Sequence, residues 1–579
     1  MKFRIKVIIP VAFAALSSWF WIVLSPGALA FLETTQYFPW TMARFGHALS
    51  WPGGLAEWLS EFFVQFFTCP VLAGLTVTAF LCAIQFLSWK VAATFARRGN
   101  EVSYPLSFIP SFCAWAFLCV LGSMLTSIVA ITITLGTYLL SSRFKKRPFL
   151  VHALLTVLLY HLCGPVSVLY LFLAFEKAAL EVDKAGLAAV AVASLAWVAM
   201  PFVWSHLSQY PLRELFLGID YFNQPGRYPS TLVVLAVSVV AVSLASPFTG
   251  VLGGSETLRR VVSWTLALLV FAGGWFYVTK HCDPLRERVL QYDRLCLMRD
   301  WDAVEAKGRE FTPVSLPEIS AVNLALAKKG KLLDEMFSFP QPGAAGLFPD
   351  YAMGYLMALT AGEAVYHAGL LNVARHYAFE EYESYPNYHE SARHIKRLAE
   401  IDMINGNWRL ARRYLKALEP TLAYGKWAKS FLESPGTLLD NPEYAVLSRF
   451  RDESDYLYND SSDDDKRLAL RRMVARDGKR SIASDYLLAY DLLARDLRSF
   501  ESDAALVDFG GVVPRYVREA MVLSLDSTGG DAAAHPLAGE EAARRYGDYR
   551  SALLEGRPGG WIKANFGTSY YYYFSKKTK

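Results

Sequence analysis

FLVHALLTVLLYHLCGPVSVLYLFLAF, residues 149–175, is the stretch on which the topology of this chain turns. A helix that crosses a bilayer needs about 20 mostly apolar residues, in a range of about 17–25. As one helix the stretch is long and broken by Gly164-Pro165. As two it gives the short runs 149–162 and 165–175, and a hairpin of two short helices is the expected reading. A single span kinked at the proline is the alternative. Around it lie seven further apolar runs: 7–24, 70–89, 105–121, 124–141, 186–204, 230–248 and 261–279. The hairpin reading makes nine spans and the kinked reading makes eight.

Basic residues mark the cytoplasmic loops of membrane proteins and separate the two models. With nine spans and the N-terminus inside, the inner segments hold Lys2, Arg4, Lys6, Lys90, Arg97, Arg98, Arg143, Lys145, Lys146, Arg147, Lys177, Lys184, Arg259 and Arg260. The outer loops hold Arg44, Arg213 and Arg227, so the division is 14 against 3. With eight spans the last four inner residues move outside and Arg213 and Arg227 move inside, which gives 12 against 5. The sharper bias favours nine spans and places residues 281–579 outside the cytoplasm.

Composition agrees with this division. The chain has 579 residues, of which 53% are hydrophobic and 19% charged, against about 25% charged in soluble domains. The deficit lies in residues 1–280, and the remainder has ordinary soluble composition. The first run could also be a signal peptide, with MKFRIK as its basic region and Ala28-Leu29-Ala30 as its cleavage site. Its apolar core exceeds the usual length, so an uncleaved first helix is expected. The net charge of +5 consists largely of orientation signals, and no nucleic-acid partner is expected. Of the seven cysteines, five lie in apolar segments as small buried hydrophobes, and neither CxxC nor a zinc spacing occurs. No cofactor and no metal are expected.

The stretch LSWPGGLAEWLSEFFVQFF, residues 49–67, falls in the first outer loop. Pro52-Gly53-Gly54 is turn chemistry. From Leu55 the apolar residues recur at helical spacing, with Glu57, Glu61 and Gln65 as a polar stripe. The pattern predicts a helix in the membrane interface, aromatic face towards lipid and glutamates in solvent. Membrane glycosyltransferases that use lipid-phosphate donors resemble this layout, with surface helices in the first outer loop and an acidic residue just after the first span. Glu33 stands at such a position, and Glu57 or Glu61 is available as a second carboxylate. A glutamate in an outer loop is a common feature, so a structural cover is the preferred reading. His161, with His152, is a further candidate because ionisable groups inside a membrane are functional by default. Its place beside the Gly-Pro break favours a structural role.

Residues 281–579 look helical, with a weak repeat. DWDAVEAKGREFTP (300–313) and NWRLARRYLKALEP (407–420) share a Trp after Asp or Asn and a Pro twelve residues beyond it. Gly330, Gly369 and Gly406 recur at spacings of 39 and 37. The pattern resembles tetratricopeptide-type helical hairpins, which stack into concave binding surfaces. The acidic segment 451–467 is expected to be a solvated loop, and the tail ends in SYYYYF and three lysines. HExxH, nucleophile elbows and phosphate-binding glycine loops do not occur.

WPGGLAEWLSEFFVQFF, SARHIKRLAEIDMINGNWRLARRYL and SYYYYF together resemble an uncharacterised family of polytopic inner-membrane proteins from Gram-negative bacteria. The resemblance implies an inner-membrane location and a tetratricopeptide-like part, and supplies no catalytic residue. The expected fold is all-α. A transmembrane helix bundle at 1–280 precedes helical repeats at 281–440 and a further helical region at 441–579. Scaffolding of a cell-envelope process through a protein partner is the preferred function, with membrane lipids around the bundle. A transferase for a lipid-linked substrate is the alternative, and a transporter ranks third.

Overall fold

The computed structural model describes residues 2–96, 104–141, 148–219, 221–222, 229–252, 256–349, 355–384, 390–451 and 463–576. Most of the acidic segment and many of the predicted inner-loop basic residues fall outside them. Among the described residues every regular element is helical, and pairing of extended backbone is confined to isolated bridges. The chain forms two compact units. Unit 1 comprises residues 1–287 with 385–393 and 417–426, and unit 2 comprises 288–384, 394–416 and 427–579.

Unit 1 contains α1 (Lys2–Trp19), α2 (Pro26–Thr34), α3 (Met42–Ala48), α4 (Gly54–Val64), α5 (Pro70–Phe95), α6 (Ile109–Leu118) and α7 (Leu125–Ser141). These are followed by α8 (Pro148–Cys163), α9 (Val168–Leu180), α10 (Lys184–Leu207), α11 (Leu212–Leu217), α12 (Ser230–Ala245) and α13 (Glu256–His281). Among the described residues six stretches are long and apolar enough to cross a membrane: 6–24, 70–95, 149–180, 184–207, 230–249 and 257–281. The helices at 105–118 and 125–141 are apolar but shorter. Aromatic rings fill the core, where Phe13 meets Phe108, Phe112 and Trp115 edge-on.

The run 149–180 folds back at Gly164, whose φ of +74° suits only glycine. His152 Nδ1 lies 2.8 Å from the Tyr170 hydroxyl. Those residues would stand about 27 Å apart on one straight helix, so α8 and α9 are the two arms of a hairpin. Contacts at one end of the unit fix the directions of several helices. Lys6 lies over the rings of Trp89 and Tyr104, Lys177 Nζ donates to the Thr94 carbonyl, and Ser246 Oγ donates to the Ala92 carbonyl. At the opposite end the Gly53 N–H donates to the His161 carbonyl, the Tyr221 hydroxyl donates to the Cys163 carbonyl, and Ser25, Gly27 and Ala28 donate to the Glu287 carboxylate. The start of α1 and the end of α13 therefore lie at opposite ends of unit 1.

Unit 2 begins in α14 (Pro284–Leu297) and continues with α15 (Trp301–Glu310), α16 (Leu316–Lys328), α17 (Leu332–Glu335), α18 (Tyr355–His367), α19 (Leu371–Ser384), α20 (Ala392–Ile404) and α21 (Trp408–Leu418). After α22 (Gly425–Glu433) and α23 (Pro442–Ser448) come α24 (Asp463–Asp477), α25 (Ile482–Ala494) and five shorter or similar helices up to Ser575. The recurring glycines have one local function. Gly330, Gly369 and Gly406 have φ of +67°, +91° and +80°, each just past the end of a helix. After each, the next N–H reaches back to a carbonyl five residues earlier: Lys331 to Leu326, Leu370 to Val365 and Asn407 to Asp402. This is the left-handed helix stop that glycine favours. The prolines of the two matched segments differ: Pro313 lies just before the capping box of α16, while Pro420 belongs to unit 1, where its carbonyl accepts from the Trp40 N–H.

Candidate functional site

The first loop of unit 1 is built on a tight reversal between α3 and α4. Gly53 has φ of +92°, and a Cβ at Gly54 would lie 1.9 Å from the Ala48 carbonyl oxygen. The two glycines let α3 pack against α4 closely, which brings Arg44 beside residues 57 and 61. Arg44 Nη2 lies 3.2 Å from Glu57 Oε1 and 2.7 Å from Glu61 Oε2. Trp51 Nε1 donates to Glu57 Oε2 at 3.1 Å.

The polar stripe thus faces inward. Glu57 and Glu61 are buried, with Ser60 and Gln65 beside them. Trp58, Leu59, Phe62, Phe63 and Phe66 are half-buried on the other side. The expected solvated glutamates are corrected here: α4 packs on the ends of α7 and α8, and the carboxylates meet a guanidinium instead of water. The aromatic face forms a ring cluster with Phe38 and Trp40, and Trp40 is half exposed.

Two carboxylates share one guanidinium. Burial pushes the Glu61 carboxyl up to about 8, Arg44 pulls it down, and Glu57 pushes it up again. Near neutral pH the cluster therefore holds a carboxylic acid at Glu61 that can donate a hydrogen bond or a proton. Burial opposes the charge of Arg44, but Glu61 and Glu57 outweigh it and raise its pKa. Burial, together with Glu390, pushes the nearby Tyr37 phenol up to about 12.

Glu33 is fully buried at the end of α2, and the Tyr424 hydroxyl donates to its Oε1 at 2.7 Å. The surrounding loop is tied down by hydrogen bonds to backbone carbonyls. Trp40 donates to the Pro420 carbonyl, Ala392 donates to the Gln36 carbonyl, and the Tyr37 hydroxyl donates to the Ala417 carbonyl. A small cavity lies between α2 and α4, lined by Leu32, Gln36, Glu57, Ser60, Glu61 and Met124 among others. Its volume of ≈ 10 Å³ has room for one water.

His161 stands at the top of α8. Its Nε2 is 3.1 Å from the Leu49 carbonyl, and its ring stacks on Trp204. These contacts fasten the loop and do not join the carboxylates. Three residues of the cluster escape sequence reasoning. Arg44 registers only as an outer-loop charge, Trp51 is not singled out, and Tyr424 lies 391 residues from Glu33. The signal for Arg44 is its being the sole Arg or Lys in a loop that carries three glutamates. Tyr424 leaves no such trace. Among the described residues no group of three or more His, Cys, Asp or Glu side chains is placed to hold a metal ion.

Fold and site together define a helical protein with, among the described residues, six membrane-compatible helices and a buried carboxylate–arginine cluster under its first long loop. The chain belongs to a family of unknown function, DUF6057, whose model matches residues 2–577. No curated protein and no solved structure matches it.

Proposed function

We propose that the protein is a membrane-embedded transferase that acts on a lipid-linked substrate, with Glu33 and the Arg44–Glu57–Glu61 cluster as its reaction centre. The observation that carries this reading is the inward orientation of the outer-loop carboxylates. A loop that only seals a bundle has no need to bury three glutamates, because a buried charge is costly unless it is paired. In the reaction, Glu33 accepts the proton of an acceptor hydroxyl. The hydroxyl oxygen bonds to the transferred sugar carbon as the carbon–oxygen bond to the lipid phosphate breaks, and the phosphate leaves on its lipid. The cavity beside the cluster admits a water and not a sugar, so the α3–α4 loop moves to admit substrate. The half-buried aromatic face of α4 suits contact with lipid at the interface.

The reading is tested in cells. Glu33→Gln at wild-type protein level is expected to abolish the phenotype of the intact gene and to build up the lipid-linked precursor in lipid extracts. Normal function of a folded, abundant Glu33→Gln variant would contradict it.

The topology belongs to the same proposal. Nine passes of the chain, the α8–α9 hairpin among them, go with the 14-against-3 charge division and put residues 281–579 outside the cytoplasm of a bacterial inner membrane. The bonds from Ser25, Gly27 and Ala28 to Glu287 support an odd number of passes. A periplasm-dependent reporter fused after Lys280 is expected to be active, and activity of a cytoplasm-dependent reporter there contradicts the assignment. A second role, presentation of a tetratricopeptide-like surface to a protein partner, is supported by the three glycine-stopped helices of unit 2.

A further inference from the structure

Unit 2 contains an open cleft of ≈ 720 Å³ between the end of α16, the end of α18, α23 and the start of α25. Four cations, Lys328, Arg449, Lys479 and Arg480, and two acids, Glu443 and Asp485, contribute to its walls. The acids are already engaged. Asp485 takes two bonds from Arg480, Nε at 3.0 Å and Nη2 at 3.2 Å. Glu443 takes bonds from Arg299 Nε and, at 3.1 Å, from Nη2. Among the described residues no carboxylate forms an ion pair with Lys328, Arg449 or Lys479.

Lys328 is the unusual member. It is half-buried at the floor, with its ammonium 3.3 Å from His367 Nδ1 and 5.7 Å from the Trp301 ring centroid. His367 supplies no negative charge. Its side chain is fully buried, and burial pushes its pKa down to about 4, so the ring is neutral and Nδ1 accepts from the lysine. Glu363 Oε2 lies 3.5 Å from Nε2, and Glu443 Oε1 lies 3.4 Å from Nδ1. The groups nearest this desolvated ammonium are an imidazole and an aromatic face, and the carboxylates that act on it from farther off, Glu443 and Glu363, are already bonded to Arg299 and Arg397, so the cleft has room for a further anion. Arg449 and Lys479 are exposed at the rim, and the exposed Val446 adds an apolar wall.

We propose that this cleft binds a phosphate group carried by a small organic molecule, with Lys328 at the floor and Arg449 and Lys479 at the rim. Cations converging from several walls suit an anion with three outward oxygens and a charge near −2 better than a planar carboxylate. Val446 then faces the organic part. The site is separate from the carboxylate cluster of unit 1, and its occupancy does not depend on the chemistry proposed there.

The test uses the full chain in detergent micelles and isothermal titration with inorganic phosphate, phenyl phosphate and acetate. Phenyl phosphate is expected to bind more tightly than inorganic phosphate, and acetate weakly. Lys328→Met should weaken phenyl phosphate by about tenfold or more, the effect of losing one charge-assisted hydrogen bond. The exposed double variant Arg449→Ser/Lys479→Ser should do the same with unchanged circular dichroism and melting, which separates ligand loss from misfolding. Acetate binding equal to phosphate would overturn the ligand class. Absence of phosphate binding at millimolar concentration, or unchanged affinity in the rim variant, would overturn the site.

Discussion

Glu61→Lys is expected to be among the most damaging single changes in unit 1, and Phe62→Lys, one residue away, much milder. Lysine at 61 brings an ammonium to the place where Glu61 Oε2 now meets Arg44 Nη2 at 2.7 Å. It replaces a hydrogen-bonding carboxyl with a second cation and leaves Glu57 shared between two buried cations, a loss of about 3–5 kcal/mol. Phe62 is half-buried in the aromatic cluster, where a long lysine reaches the interface. Its loss amounts to ring contacts of about 0.5–1.5 kcal/mol and an interfacial charge penalty of about 1 kcal/mol or less. Yield of folded protein after detergent extraction and its melting temperature measure the contrast. Greater damage at 62 than at 61 would return the glutamates to solvent. Glu61 also leaves a mark on pH dependence. Its carboxyl titrates near 8 when folded and near 4.5 when unfolded, so the folded state binds the extra proton between those values. Stability from this group is full below 4.5 and is lost as pH rises through 8. Glu61→Gln is expected to flatten that part of the profile.

Arg397→Met is expected to destabilise unit 2 by about 3–5 kcal/mol, because it removes one partner from a buried charge network. The Arg397 guanidinium lies 2.5 Å from Glu363 Oε1, 3.7 Å from Glu400 Oε2 and 3.7 Å from the centre of the Tyr366 ring. The Tyr444 hydroxyl donates to the other oxygen of Glu400 at 2.9 Å. α18 and α20 are thus joined through Arg397, and α23 joins them through Glu400. Thermal melting of the full chain reports the loss, and a change within about 0.5 kcal/mol, typical of an exposed position, would contradict the account.

Much of the architecture was legible from local chemistry. Apolar runs of bilayer length, the Gly-Pro break at 164–165 and the recurring glycines each report on their own segment, and periodicity carries that information directly. The helix over 54–64 was legible for the same reason. Its orientation was not. An amphipathic helix beside a membrane has an apolar face that suits lipid, and its polar face then meets either water or the interior of the bundle. The sequence pattern is identical in the two cases. Arg44 decides between them, and its approach depends on the close packing permitted at Gly54. Glu33 was singled out by its place after the first apolar run. Its partner Tyr424 was beyond reach, because a contact across 391 residues has no local signature.

Transfer in a defined system tests the central claim most directly. The full chain is reconstituted into liposomes that contain a polyprenyl-phosphate-linked sugar, an acceptor bearing free hydroxyls is added on the side of the α3–α4 loop, and release of polyprenyl phosphate is measured. The wild type is expected to release it, and Glu33→Gln, reconstituted to the same level and with the same melting temperature, is expected to release none. Equal release by the two proteins, or no release by the wild type across a panel of lipid-linked sugars, would contradict the assignment of the buried carboxylates to catalysis.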